Sequence, residues 1–123
     1  MKASLPVDSR TLTPAGAWTV QVTRPSGTYP GVLHFTVDGR VFLASGGAGS
    51  WRATAGGAAG GFAFRIAEPV YTDSGACTGW VDIVQRAALS GETFSSTGTS
   101  VVYDRTGRPG RRARVGISAR RTA

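Results

Sequence analysis

Apolar and polar residues alternate along most of this chain, and the alternation is cut at short intervals by glycine, Asp-Gly or Pro-Gly. Period-two alternation places successive side chains on opposite faces of an extended strand, one face apolar and one polar. Trp18-Thr19-Val20-Gln21-Val22-Thr23 reads as a first strand, and 24–31 as a loop rich in turn formers. Val32-Leu33-His34-Phe35-Thr36-Val37 and Arg40-Val41-Phe42-Leu43-Ala44-Ser45 flank Asp38-Gly39, the strongest hairpin signal in the sequence. A short strand at Trp51-Arg52-Ala53-Thr54-Ala55 lies between two glycine turns, 46–49 and 56–61. Phe62 to Glu68 resumes strict alternation until Pro69 and Asp73-Ser74-Gly75 break the chain. Cys77 to Ala88, Thr93 to Tyr103 and Arg111 to Arg120 complete eight strands. No segment has the i, i+3, i+4 apolar spacing of a helix.

Evenly spaced strands with no room for helices predict an all-β fold, an eight-stranded antiparallel up-and-down β-barrel. The barrel occupies residues 15–123 as one domain. Residues 1–14, with Pro6 and Pro14, form an N-terminal arm or a flap over one barrel end. The inward sets are Trp18, Val20, Val22; Leu33, Phe35, Val37; Phe62, Phe64, Ile66; Val81, Ile83; and Ala113, Val115, Ile117. By the same parity Ser45, Glu68, Gln85, Ser96, Gly98 and Ser100 also point inward. Small and polar residues there leave volume edged with hydrogen-bonding groups, the composition of a ligand pocket.

Composition changes this picture only in part. The first residues hold no apolar run of signal-peptide length and nothing later reaches membrane-helix length, so a cytoplasmic location is expected. Cys77 and His34 are the only cysteine and histidine, which excludes an intramolecular disulfide and a four-ligand Cys/His zinc site. Richness in Ala, Gly and Arg, with Lys2 the only lysine, is the bias of a high-GC genome and hints at an actinobacterial source. The formal net charge is +7, and arginines crowd the last strand. There they alternate with Ala113, Val115 and Ile117, so they form a solvated outer face. Without interleaved aromatic residues for base stacking, nucleic acid is not the expected partner.

Several residues are candidates for chemistry. Glu68 shares the face of Phe62, Phe64 and Ile66, where desolvation would suit it to general acid or base work. Gln85 and Tyr71 are the other catalytic candidates. Trp18, Phe35, Phe62, Phe64, Ser96, Ser100 and Tyr103 are candidate ligand-binding residues. Tyr29, Tyr71 and Tyr103 lie near strand ends, where a phenol reaches a ligand entering the barrel. Asp82 reads as an outer-face ion-pair partner of Arg86 or of a neighbouring strand. His34 points outward, and Cys77 lacks a sequence neighbour to activate it. No nucleophile elbow, phosphate loop or dinucleotide fingerprint is present, and neither metal nor cofactor is expected.

Gly16-Ala17-Trp18 on the first strand, followed by seven meandering strands, resembles the calycin barrels, the lipocalin-like and avidin-like proteins. In these the tryptophan closes the barrel base. The lipocalin likeness implies that an arginine of the last strand packs across Trp18, a role open to Arg112, Arg114 or Arg120. The chain departs from lipocalins in having no Thr-Asp-Tyr motif, no disulfide pair and no C-terminal helix. A barrel of this length also resembles the allene-oxide-cyclase-like barrels, which include actinobacterial cyclases of polyketide chains. That likeness implies cofactor-free chemistry, in which an apolar cavity holds a flexible substrate in a near-attack shape.

The function expected from the sequence is therefore a small-molecule-binding barrel, a cofactor-independent cyclase or isomerase of a hydrophobic, polyketide-like natural product. The alternative is a non-catalytic carrier of a small hydrophobic metabolite, and the third reading is a basic nucleic-acid-binding barrel. Outer faces bearing Val101 or Trp80 are candidate homodimer surfaces, and no membrane partner is expected.

Overall fold

The computed structural model describes residues 13–54 and 60–122. Eight strands follow one another: β1 (Gly16–Arg24), β2 (Gly27–Phe35), β3 (Arg40–Leu43), β4 (Ala48–Ala53), β5 (Gly61–Tyr71), β6 (Cys77–Ser90), β7 (Thr93–Asp104) and β8 (Pro109–Arg121). Each pairs antiparallel with the next, and β1 pairs with β8 to close the barrel. This is the up-and-down architecture that the alternation predicts, and it is consistent with the calycin outline. Among the described residues no helix is long and apolar enough to cross a membrane.

The inward positions of the strands meet in an apolar core. Trp18, Val20, Leu33, Phe35, Val41, Phe62, Phe64, Ile66, Ile83, Phe94, Val115 and Ile117 are buried in one core. Phe35 makes edge-to-face contacts with Phe62, Phe64 and Phe94 at ring separations of 5.6, 5.2 and 5.9 Å. Edge-to-face packing sets the positive ring edge against a negative ring face, which adds to the burial of apolar area. Val37, expected inward, is 88% exposed, because β2 ends at Phe35 and the alternation beyond it belongs to the turn.

Facing these bulky residues are small ones. On β7, Ser96 is buried and Gly98 half-buried. A Cβ at Gly98 would lie 1.8 Å from the Val84 carbonyl oxygen, and one at Gly49 would lie 1.6 Å from that of Arg65. The neighbouring backbones therefore approach more closely than any side chain permits, as tight strand coiling in a small barrel requires.

Two prolines lie inside strands where the sequence suggested breaks. β2 begins at Gly27, so the loop expected over 24–31 shrinks to a two-residue turn, and Pro30 pairs with Gln21. β5 runs through Pro69 to Tyr71, and Pro69 pairs with Trp80. The cause is the same in both. Val32 gives its carbonyl to Ala44 on the β3 side, so by alternation Pro30 turns its missing N–H away from β1. Gly61 gives its carbonyl to Thr54 of the β4 side, so Pro69 turns its missing N–H away from β6. Both prolines thus lie on free edges and remove no ladder bond.

Those free edges exist because β3 and β4 are short. β2 pairs with β3 only from Leu33 to Phe35, and β4 pairs with β5 only as far as Ala67. The upper ends of β2 and β5 stand above the β3–β4 hairpin, and the wall between them is notched.

The opposite end is closed. Trp18, fully buried, meets Phe94 edge-on at 4.8 Å and donates from Nε1 to the Pro14 carbonyl at 2.7 Å. The arginine across it is Arg121, with its guanidinium carbon 4.5 Å from the ring centre. Arg112, Arg114 and Arg120, named for this role from the lipocalin likeness, are exposed. They fall on the outward parity of β8, whereas Arg121 continues the inward series of Val115, Ile117 and Ala119. Arg121 also donates to the carbonyls of Ala15 and Thr13 at 2.8 and 2.9 Å. Of the arm expected over 1–14, Thr13 and Pro14 are held against this floor, and 1–12 lie outside the described residues.

Candidate functional site at the barrel mouth

The notch opens into a cleft of about 620 Å³ at the mouth of the barrel. Its base is formed by Val22 of β1, Gly31 of β2 and Leu43 of β3, the inward residues one level above the aromatic core. Gly31 contributes space. Arg24, Tyr29, Ser45 and Glu68 ring the opening. Ser45 donates from Oγ to Glu68 Oε2 at 2.9 Å, which ties the β3–β4 turn to the free upper end of β5. The Tyr29 hydroxyl lies 2.9 Å from Ser26 Oγ, fixing the phenol at the tip of the β1–β2 hairpin. An apolar base with a few polar groups above it suits an amphiphilic small molecule.

Of the residues expected to act on or reach a ligand, Tyr29 and Glu68 line this cleft, and Glu68 is the catalytic candidate among them. It is half-buried and faces inward, as its parity indicates. Gln85 is wholly buried and its polar atoms are engaged within the protein. It accepts from Ser96 Oγ at 2.6 Å and donates from Nε2 to the carbonyls of Val115 and Val84 at 3.1 and 3.2 Å. The pair replaces apolar packing by a satisfied polar node between β6, β7 and β8. Its geometry engages the Gln85 amide and the Ser96 hydroxyl with each other and with the wall between β6, β7 and β8.

Trp18, Phe35, Phe62 and Phe64 are inside the barrel as expected, where the three phenylalanines pack on one another and Trp18 packs on Phe94. Ser100 is buried on the inner wall of β7. Tyr103 is on the outer wall, stacked on Trp80 at 5.2 Å with 14° between the rings, because its parity is opposite to that of Ser96 and Ser100. Tyr71 is 61% exposed at the end of β5. Neither tyrosine reaches the interior.

The outer face holds the charge pairing anticipated for Asp82. Its partner is Arg65 on β5, not Arg86, with Nε donating to Oδ1 at 2.9 Å and Nη2 to Oδ2. The bidentate hydrogen bond to Asp82 and its negative charge hold the Arg65 guanidinium above its ordinary pKa. His34 is exposed on the outer side of β2, and Cys77 is exposed at the start of β6. Among the described residues no group of three His, Cys, Asp or Glu could hold a metal ion.

The residues missed in the sequence are Arg24 and Leu43 of the cleft, together with the roles of Val22 and Gly31. Parity alone was sufficient to find them once the strand starting at Gly27 is paired with β1. Comparison of the sequence with models of known protein families and with curated proteins yields no match.

Proposed function

We propose that this chain is a small-molecule-binding barrel whose ligand sits in the open mouth above Val22 and Leu43. The observation that carries this reading is the notched wall. It gives access to a cleft of about 620 Å³, a volume in the range that takes a metabolite-sized ligand. The cluster of Phe35, Phe62, Phe64 and Phe94 rings in mutual contact argues for a ligand that rests on the core instead of threading through it. Its apolar body would lie on Val22 and Leu43, and its polar end among Arg24, Tyr29 and Glu68.

Turnover in the same cleft is the second reading, and Glu68 is the observation that favours it. A carboxylate oriented by Ser45 over an apolar base is equipped to move a proton on a bound hydrophobic substrate. A cofactor-independent cyclase or isomerase of a polyketide-like compound requires little more than that and a fixed substrate shape.

The test is to purify the protein from a natural host extract, release bound small molecules and identify them by mass spectrometry. Leu43→Trp, which fills the base of the cleft, should abolish the recovery while leaving the barrel folded. Recovery unchanged by Leu43→Trp would overturn the mouth as the binding site. Substoichiometric conversion of the recovered compound, lost in Glu68→Gln, would select the enzyme over the carrier.

A further inference from the structure

Another recessed region is on the outside of the barrel, along β8 and its neighbours β7 and β1. Two hollows of about 760 and about 600 Å³ follow one another there. They arise because outward positions on this wall carry small side chains. Gly116 of β8 lies between Thr23 of β1 and Thr97 of β7, and Ser118 lies between Gln21 and Ser95. These outward positions put glycine, hydroxyl groups and the Gln21 amide along the floor, and Ala88, Phe94, Ala119 and Val115 add apolar lining to the hollows.

Arginines stand around it. Arg114 and Arg120 are outward on β8, Arg24 ends β1, and Arg86 of β6 pairs with Thr97. Of the described carboxylates, Glu92 alone comes near this wall. Asp38, Asp73, Glu92 and Asp104 lie at turns or strand ends, Glu68 is at the mouth and Asp82 is bound to Arg65. Glu92 approaches this end of the barrel, and there it faces Arg121.

We propose that this wall binds the phosphodiester backbone of a nucleic acid. The inference does not depend on a ligand in the mouth, although Arg24 borders both the mouth and this wall. β7, β8 and β1 are each paired on both sides, so an extended peptide finds no free ladder here. What the wall offers is guanidinium forks and hydroxyl donors, the groups that hold phosphate oxygens. Arg114 and Arg120 are six residues apart on one face of β8, a span of about 20 Å. That covers about six phosphates at a rise of ~3.4 Å per strand. No aromatic ring occupies the outward positions of this floor, so bases have no platform. Binding is directed at the backbone and is indifferent to sequence.

The experiment is fluorescence anisotropy of the full chain with a labelled oligothymidylate and a labelled duplex, each about 20 nucleotides long, over a salt series. Four arginine contacts predict a duplex log–log salt slope of about −3 to −4 and roughly a 100-fold loss from ~50 to ~200 mM salt. Arg114→Glu with Arg120→Glu should weaken binding at least ~10-fold and flatten the slope by about 2. Gly116→Glu, which places a carboxylate on the floor between the arginines, should also weaken binding, by at least ~3-fold. A Cβ at that position meets nothing closer than Ser96 O at 3.8 Å, so the barrel tolerates the change. Arg40→Glu with Arg52→Glu, on the opposite wall, makes the same change in net charge as the β8 pair and should alter binding less than about 3-fold.

Absence of salt-dependent binding of either probe would overturn the proposal. So would an equal loss in the opposite-wall variant, or no loss in Gly116→Glu. Binding to phosphatidylglycerol vesicles that fails in the β8 variants, with both nucleic acids ignored, would reassign the wall to a membrane surface.

Discussion

Arg121 lies across the face of Trp18, its guanidinium carbon 4.5 Å from the ring centre, and the two residues face each other from opposite ends of the chain across the β1–β8 pairing. The same guanidinium holds the carbonyls of Thr13 and Ala15. One side chain therefore satisfies the backbone entering the barrel, covers the floor and joins the first strand to the last. Trp18→Ala should cost about 3–5 kcal/mol by loss of a buried aromatic. Arg121→Ala should cost about 2 kcal/mol, and Arg121→Lys should recover only part of it, since an ammonium cannot match two carbonyls and a ring face together. Chemical denaturation of the three variants checks the order.

Gln85 and Ser96 form a closed polar node inside an apolar barrel. Ser96→Ala leaves the Gln85 carbonyl oxygen without its donor and should cost about 1–3 kcal/mol. Gln85→Leu with Ser96→Ala should cost less than the sum of the two single changes, because the unsatisfied partner goes with its mate. A double-mutant cycle by urea unfolding measures the difference.

Gly98 and Gly116 are neighbours across the barrel wall with opposite tolerances. Gly98→Ala forces a methyl to within 1.8 Å of the Val84 carbonyl oxygen, so the β6–β7 pairing must open. The expected loss is about 3 kcal/mol or more. Gly116→Ala meets ordinary contact distance and should be neutral within about 0.5 kcal/mol. Thermal melts of the two proteins side by side test the contrast.

The Asp104 carboxylate is held below its usual pKa range by the Thr106 hydroxyl and by the backbone N–H groups of Arg108 and Thr106. A carboxyl depressed in the folded state stabilises the turn above its unfolded pKa, and that contribution fades as pH falls through the lower folded value. Exchange protection of the Thr106 and Arg108 amides should therefore persist at neutral pH and fall off only as pH drops below the ordinary aspartate range. In Asp104→Ala the protection should be weak at every pH. Amide exchange followed by NMR reads both outcomes.

How much could be read from the sequence depended on whether a residue's role was set by parity or by what stood beside it. Strand number, the inward aromatic series and the outward position of His34 follow from alternation, because period two is a property of each strand by itself. Pro30 and Pro69 were read as breaks because a proline's cost depends on whether a neighbour needs its N–H. That neighbour is missing only because β3 and β4 are short, which is a property of the whole sheet. Gln85 and Ser96 share the same lesson. Two inward polar residues signal a pocket or a satisfied pair alike, and only the β6–β7 register decides between them. Arg121, by contrast, was within reach, since counting by two from Ile117 passes through Ala119 and arrives at it.

Thr19 and Thr122 have their hydroxyls 3.1 Å apart although 103 positions separate them, and every other strand pairs with its immediate successor. The connectivity is that of a ring with a single seam. A polypeptide opened at the turn after Asp104 and sewn across that seam would keep all eight strand pairings and differ only in where translation begins. What defines this protein is accordingly the cyclic order of its strands, and the choice of first residue is secondary to it.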